Sequence, residues 1–173
     1  MPSLWIIDGF NLLRQSRDLM ELEAVHYEKA RSALLARLKK FSERSGEKVL
    51  CVFDAMGSAH SERVEEPHGT VKFLYTKAFE TADEAIIELA REKKEGAIVV
   101  TSDREIIAAA EKAGSSVVKS PEFDALLRRT SLAPRDREEE EEGFDPKKGT
   151  KKKGPSHRRP KKERKVYGKI KGW

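Results

Sequence analysis

A single cysteine, Cys51, stands in a chain of 173 residues. It can form no disulfide within the chain and no zinc site built on several thiolates. Lying in the apolar run Val49-Leu50-Cys51-Val52-Phe53, it reads as a core residue. Also missing is any stretch of about 18 apolar residues, the length that spans a bilayer as a helix. The early apolar run Leu4-Trp5-Ile6-Ile7 is too short for a signal peptide. A cytoplasmic protein with no membrane partner is therefore expected. Neither a P-loop nor a dinucleotide-type glycine loop is present, which disfavours ATP and NAD chemistry. The four histidines, His26, His60, His68 and His157, show no metal-ligand spacing, and histidine-based catalysis is disfavoured with them. There is no internal repeat.

Charge is what the chain has in quantity: charged and hydrophobic residues each make up 38%. That is too polar for one compact domain of this length, so part of the chain is expected to stay unfolded. The signs are segregated. From Asp145 to Trp173 there are 13 basic residues against 2 acidic, whereas Met1 to Phe144 carries 22 basic against 28 acidic. A block running from Asp136 to Glu142, almost wholly acidic, adjoins the basic one. These compositions cannot bury enough apolar surface to offset chain entropy. The organisation predicted is a folded domain over 1–133 and a disordered, acidic-then-basic tail over 134–173. Lys and Arg displace counterions condensed on phosphates, so the tail reads as a contact for nucleic acid, with a solubilising extension as the alternative. The acidic block is expected to fold back over the basic one when no polyanion is bound.

The first 133 residues alternate strands and helices. Leu4–Ile7 reads as a strand buried on both faces and stopped by a turn at Asp8-Gly9. From His26 to Ser45, Tyr27, Ala30, Leu34, Leu38 and Phe41 recur at helical spacing, and Gly46 ends the helix. Lys48–Asp54 is a second buried strand, 55–70 a loop or flap, and Val71–Tyr75 a short strand. Thr81 and Glu84 are spaced as a capping box for a helix to about Glu95, with Ile86, Leu89, Ala90 and Lys93 on its inner face. Ala97–Thr101 is the next strand. Ser102 to Glu105 is a second capping-box sequence, opening a helix to Gly114. Ser116–Lys119 is a strand, and Pro121–Arg129 a last helix with Phe123, Leu126 and Leu127 inward. The order predicts a three-layer α/β/α fold around a mostly parallel sheet.

Right-handed crossovers in such a sheet carry the carboxyl ends of the strands to one edge, where ligands bind. Asp8 follows the first strand, Asp54 closes the second, Asp103 lies just past the strand ending at Thr101, and Asp83 stands at a helix N-terminus facing the same edge. Acidic oxygens without matching Lys or Arg are held together most readily by a hard cation such as Mg²⁺ or Mn²⁺. Such an ion activates water and stabilises charge on a phosphodiester. Each residue also has a plainer reading. Glu84 and Glu105 serve as capping-box partners, and Asp103 favours a helix N-terminus. Asn11 holds an aspartate oxygen or a phosphate, or caps a turn. Asp8 has no evident local structural role, and Asp54 reads equally well either way.

Taken together, Ile6-Ile7-Asp8-Gly9-Phe10-Asn11-Leu12-Leu13, Val52-Phe53-Asp54-Ala55, Thr81-Ala82-Asp83-Glu84 and Val99-Val100-Thr101-Ser102-Asp103 resemble the motifs of YacP-like NYN domains, in order and spacing, from about Leu4 to Leu127. The resemblance implies a PIN-like fold and a Mg²⁺- or Mn²⁺-dependent endoribonuclease acting on single-stranded RNA, in a bacterial branch that includes an mRNA endonuclease working at the ribosome. By position it makes Asp8, Asp83 and Asp103 the catalytic metal ligands. Asn11 supports the first of them, Ser102 shapes the turn, and Thr81 opens the Asp83 helix. Asp54 becomes a ligand or a support behind the ligands, and Glu105 a further acid of the same set. Phe10 replaces a common tyrosine, and the long basic tail departs from compact members. For RNA contact the candidates are Arg63, Lys72 and Lys77, with His68, near the flap. In the tail they are Lys151, Lys152, Lys153, Arg158, Arg159, Lys161 and Lys162, with Tyr167 and Trp173 for stacking. Two other functions compete: a non-catalytic RNA or ribosome adaptor, and a small-molecule phosphohydrolase, which the basic tail disfavours.

Overall fold

The computed structural model describes residues 3–55 and 60–132. Among these, six strands form one sheet: β1 (Leu4–Asp8), β2 (Lys48–Phe53), β3 (Val64–His68), β4 (Val71–Tyr75), β5 (Ala97–Val100) and β6 (Ser116–Val118). Their order is β3-β4-β2-β1-β5-β6, and every pairing is parallel except that of β3 with β4. The chain builds outward from β1 through β2 to β4, then returns to the other side of β1 for β5 and β6. The reversal lies at β1, so the crevice expected at the carboxyl edge opens beside Asp8.

Among the described residues six helices cover the two faces: α1 (Gly9–Gln15), α2 (Arg17–Val25), α3 (Tyr27–Ser45), α4 (Ala82–Lys93), α5 (Arg104–Ala113) and α6 (Ser120–Leu132). Alternation along the strands divides the core in two. Trp5, Ile7, Cys51, Phe53, Phe73 and Val100 pack against α1, α2, α3 and α6. On the other face Ile6, Leu50, Val52, Leu74 and Val99 meet Ala82, Ala85, Ile86 and Ala90 of α4 with Ile106 and Ala110 of α5. This is the three-layer α/β/α arrangement that the order of elements predicts.

Several local expectations are corrected. There is no turn at Asp8-Gly9: β1 runs straight into α1, with Asp8 as its N-cap and Gly9 as its first helical residue. A side chain at Gly9 is excluded, since a Cβ there would stand 2.5 Å from the Phe53 ring. Part of the expected 55–70 loop is β3, which alternates half-buried and exposed residues and pairs with β4 across Gly69. The Thr81–Glu84 capping box is present, but α4 ends at Lys93, whose side chain is exposed, and a turn of 3-10 helix (Lys94–Gly96) follows. The second box is absent. Asp103, not Ser102, caps α5 and accepts from the N–H groups of both Glu105 and Ile106. The disordered tail expected over 134–173, with its expected fold-back, lies outside the described residues.

Candidate active site

Asp8 is buried at the carboxyl end of the central strand. Its Oδ1 accepts from the Asn11 N–H at 3.3 Å, and its Oδ2 accepts from Thr101 Oγ1 at 3.2 Å. Desolvation still outweighs these two donors. With Asp83 and Asp54 adding repulsion, the carboxyl is raised to about 6. The local role denied to Asp8 from its position in sequence therefore exists, because it caps α1.

Across the crevice, Thr101 joins two of the acids. It donates to Asp8 and accepts the Asp103 N–H at 3.1 Å. Asn11 does something different from what its place in the motif implies. Its side-chain oxygen accepts from the Ser102 N–H at 3.1 Å and from Ser120 Oγ at 2.6 Å. One amide thus ties the β1–α1, β5–α5 and β6–α6 junctions together, while Asp8 is held by the Asn11 backbone. Thr101 and Ser120, both buried, join the site without belonging to any of its sequence motifs as acids or amides. The only signal is a hydroxyl at the end of an apolar strand.

Asp54 is exposed and accepts the Ala82 N–H at 2.6 Å, which fixes the start of α4 and the placement of Asp83 one residue on. Asp83 is exposed, and its carboxyl is raised, first by partial desolvation and then by Asp103, Asp54, Glu105 and Glu84. Glu105 is exposed and does not close a cap. Ser102 Oγ is buried without a hydrogen-bond partner among the described residues. Asp8, Asp54, Asp83, Asp103 and Glu105 thus come to one edge, close enough for repulsion to register. The strongest charges acting on Asp8 and Asp83 are carboxylates. Among the described residues, no three acidic, histidine or cysteine side chains are already gathered around a single point that would hold an ion.

Two of the basic residues near the flap, Arg63 and Lys72, are paired with carboxylates. Arg63 is bound to Glu80 at 2.5 Å and to Glu88, Lys72 pairs with Glu65 at 2.8 Å towards the middle of β4, and Lys77 is exposed. His68 lies 3.6 Å from Glu66. The tail candidates, Lys151 to Lys162, lie outside the described residues.

The model of the YacP-like NYN domain matches residues 5–166. The chain belongs to that family. The match passes well beyond Leu127, where the motif resemblance ends, and takes in most of the basic segment, so the basic segment is not an addition foreign to YacP-like NYN domains. A curated relative, "Uncharacterized protein YacP" of Bacillus subtilis (strain 168), is 34% identical over 86 residues, half of this chain and half of its own length. Two crystal structures of Rae1 (YacP) from Bacillus subtilis have the same fold. One matches with a TM-score of 0.62 and 27% identity over 76% of each chain. The other, of a point mutant of that protein, matches with a TM-score of 0.61 and 25% identity over 75% of this chain and 77% of its own. A YacP-like NYN domain is a PIN-like nuclease domain, which sets the chemistry of this chain among RNA-directed functions; nucleases of this kind usually use divalent metals. No helix among the described residues is long and apolar enough to cross a membrane.

Proposed function

We propose that the acidic edge is the active site of an endoribonuclease that hydrolyses single-stranded RNA with Mg²⁺ or Mn²⁺. The observation that carries this reading is the unmatched acidity of the edge: burial first and neighbouring carboxylates after it raise both Asp8 and Asp83, with no Lys or Arg among the main groups that act on them. Such a set fits a hard dication. Mg²⁺ keeps several waters and takes only one or two carboxylates together with substrate phosphate, so loosely spaced acids suit it better than a closed cage. Asp8, Asp83 and Asp103 would hold the ion, with Asp54 and Glu105 at its margin. A bound ion supplies an activated water and stabilises charge on the phosphodiester.

The chain's own residues do the positioning. Thr101 orients Asp8 and the Asp103 loop through one hydroxyl, Asn11 locks three junctions, and Asp54 sets the α4 terminus that presents Asp83. Lys151, Lys152, Lys153, Arg158, Arg159, Lys161 and Lys162 add salt-sensitive affinity for the RNA backbone, and the ribosome is the setting in which such a tail has most phosphate to contact.

One observation favours the adaptor reading. Asp8 and Asp103 cap helices and Asp54 holds a backbone N–H, so three of these acids have work without catalysis. The two readings separate in a cleavage assay on naked and ribosome-bound RNA, with and without Mn²⁺. A nuclease cuts only with the ion and loses cutting, but not binding, in Asp8→Asn and Asp83→Asn. Ion-independent binding with no cutting under any condition makes it an adaptor.

A further inference from the structure

Beside the acidic edge lies a cavity of about 260 Å³, lined by Tyr27, Glu28, Arg31, His60, Glu66 and Tyr75 among others, and reaching Ala55, the neighbour of Asp54. It is smaller than the pockets that take drug-sized ligands and suits a single planar ring system. An aromatic column leads to it from the catalytic strand. Arg14 lies over the Phe10 ring, and Phe10, two residues from Asp8, stacks on Tyr27 at 6.0 Å with the planes 25° apart. Tyr27 both stacks on Phe10 and lines the cavity, so its ring is the surface on which a planar guest would stack.

The polar groups say which guest. Arg31 is bonded to Glu66 at 2.8 Å, to Glu28 at 3.2 Å and to the Tyr75 hydroxyl, so its charge is matched twice over. Two carboxylates against one guanidinium make the cavity a poor place for phosphate and a good one for N–H donors. The contacts of Glu66 with Arg31, Tyr75 and His68 all fall on Oε2, and among the described residues none falls on Oε1. Tyr27 Oη is buried and has no hydrogen-bond partner among the described residues, an arrangement that costs stability unless a ligand completes it.

We infer that this cavity is a nucleobase subsite, holding one unstacked base of the RNA strand next to the cut and preferring a base with amino and imino donors, guanine above all. The inference rests on the nuclease reading for the position of the cut, but not for binding. Single-stranded RNA is recognised by splaying bases onto aromatic faces and bonding their Watson–Crick edges. Guanine sets an imino and an amino hydrogen side by side on one edge, either of which Glu66 Oε1 can accept, whereas uracil flanks its one imino hydrogen with two acceptors that Glu66 repels.

The test uses the full chain with Mn²⁺ and a pool of unstructured RNAs randomised at the positions around one cut. Wild type is expected to cut with about a tenfold higher kcat/KM when guanine replaces uracil at one position adjoining the cut, in line with the discrimination of one good base contact. Glu66→Gln should narrow that ratio to within about twofold. Tyr27→Ala should weaken binding of a short RNA about tenfold, the loss of one stacked base, and Tyr27→Phe, which keeps the ring, should retain stacking while changing base preference. A wild type without base preference, or a Glu66→Gln variant that keeps it, overturns the subsite. If wild type does not cut at all, the nuclease reading fails, and the subsite is judged by binding alone. Tighter binding of the RNA than of the same RNA with one abasic site, lost in Tyr27→Ala, upholds it; equal binding overturns it.

Discussion

Two clusters of aspartates in this domain are treated in opposite ways. Where α2, α3 and α6 meet, Asp18 and Asp124 are surrounded by Arg37 and Arg128, and Ser16 donates to both carboxylates. Burial alone would raise Asp18, but the hydrogen bonds and charge of Arg37, with Ser16 and Arg128, bring it below its ordinary value. At the carboxyl edge of the sheet, Asp8 and Asp83 have hydrogen-bond donors or other carboxylates as neighbours, and both are raised. A chain able to match acids with arginines in one place leaves them unmatched in another. The first cluster fastens helices, while the second, on the function proposed above, holds charge for an ion that arrives from outside.

The largest effect expected from breaking this contrast is on activity. Asp83→Asn removes one acid of the unmatched cluster and should lower Mn²⁺-dependent RNA cleavage by at least about 100-fold, the scale seen when a transition-state partner is lost, measured as kcat on an unstructured RNA. Its urea midpoint should not fall, because the neighbours that act on Asp83 are carboxylates that repel it. Arg37→Ala attacks the matched cluster and reverses the outcome. Leaving Asp124 buried beside one arginine should cost about 2–4 kcal/mol in urea unfolding, with the catalytic constants little changed in the protein that remains folded.

Acidity sharpens the same comparison. The Asp8 carboxyl titrates near 6 when folded against 3.8 in its ordinary state, so between those values the native protein binds more protons than the unfolded one. Its contribution to stability therefore rises as pH falls from about 7 to 4, by up to about 3 kcal/mol without metal. Asp18 is lowered and acts with the opposite sign, its stabilisation fading as pH falls below the ordinary carboxylate range. Urea melts in a chelator from pH 4 to 7 should show the Asp8 slope in wild type and lose it in Asp8→Asn. The smallest effect belongs to the exposed Lys72–Glu65 pair. Lys72→Ala should shift stability by no more than about 0.5 kcal/mol, and a larger change would mean that β4 depends on that pair.

The large features of the fold were legible because each has a local physical signature. Continuous apolar runs marked β1, β2 and β5, Gly46 and Gly114 marked helix ends in the left-handed region, and Thr81 with Glu84 marked a cap. What was not legible depends on partners far away in sequence. The helices α1 and α2 are short, and α1 begins at a glycine, so periodicity had little to work on. Val64–His68 carries two glutamates and a proline and becomes a strand only by pairing with β4. At the site, the acids could be read from strand ends, but the use of Asn11 could not. Its oxygen meets Ser102 and Ser120, 91 and 109 residues away. The motif said that an amide was needed and the fold says why. Arg63 shows the reverse case, a flap cation that looked free in sequence and is held by Glu80 and Glu88.

The most direct test of the central claim is thermal unfolding of the full chain across a Mn²⁺ titration, with Asp8→Asn and Asp83→Asn alongside. An ion held by the unmatched acids stabilises the native state in proportion to RT ln(1 + [Mn²⁺]/Kd), so the wild-type Tm should climb with concentration while both variants stay flat. A wild type that does not respond, or variants that climb as steeply as it does, would contradict the account.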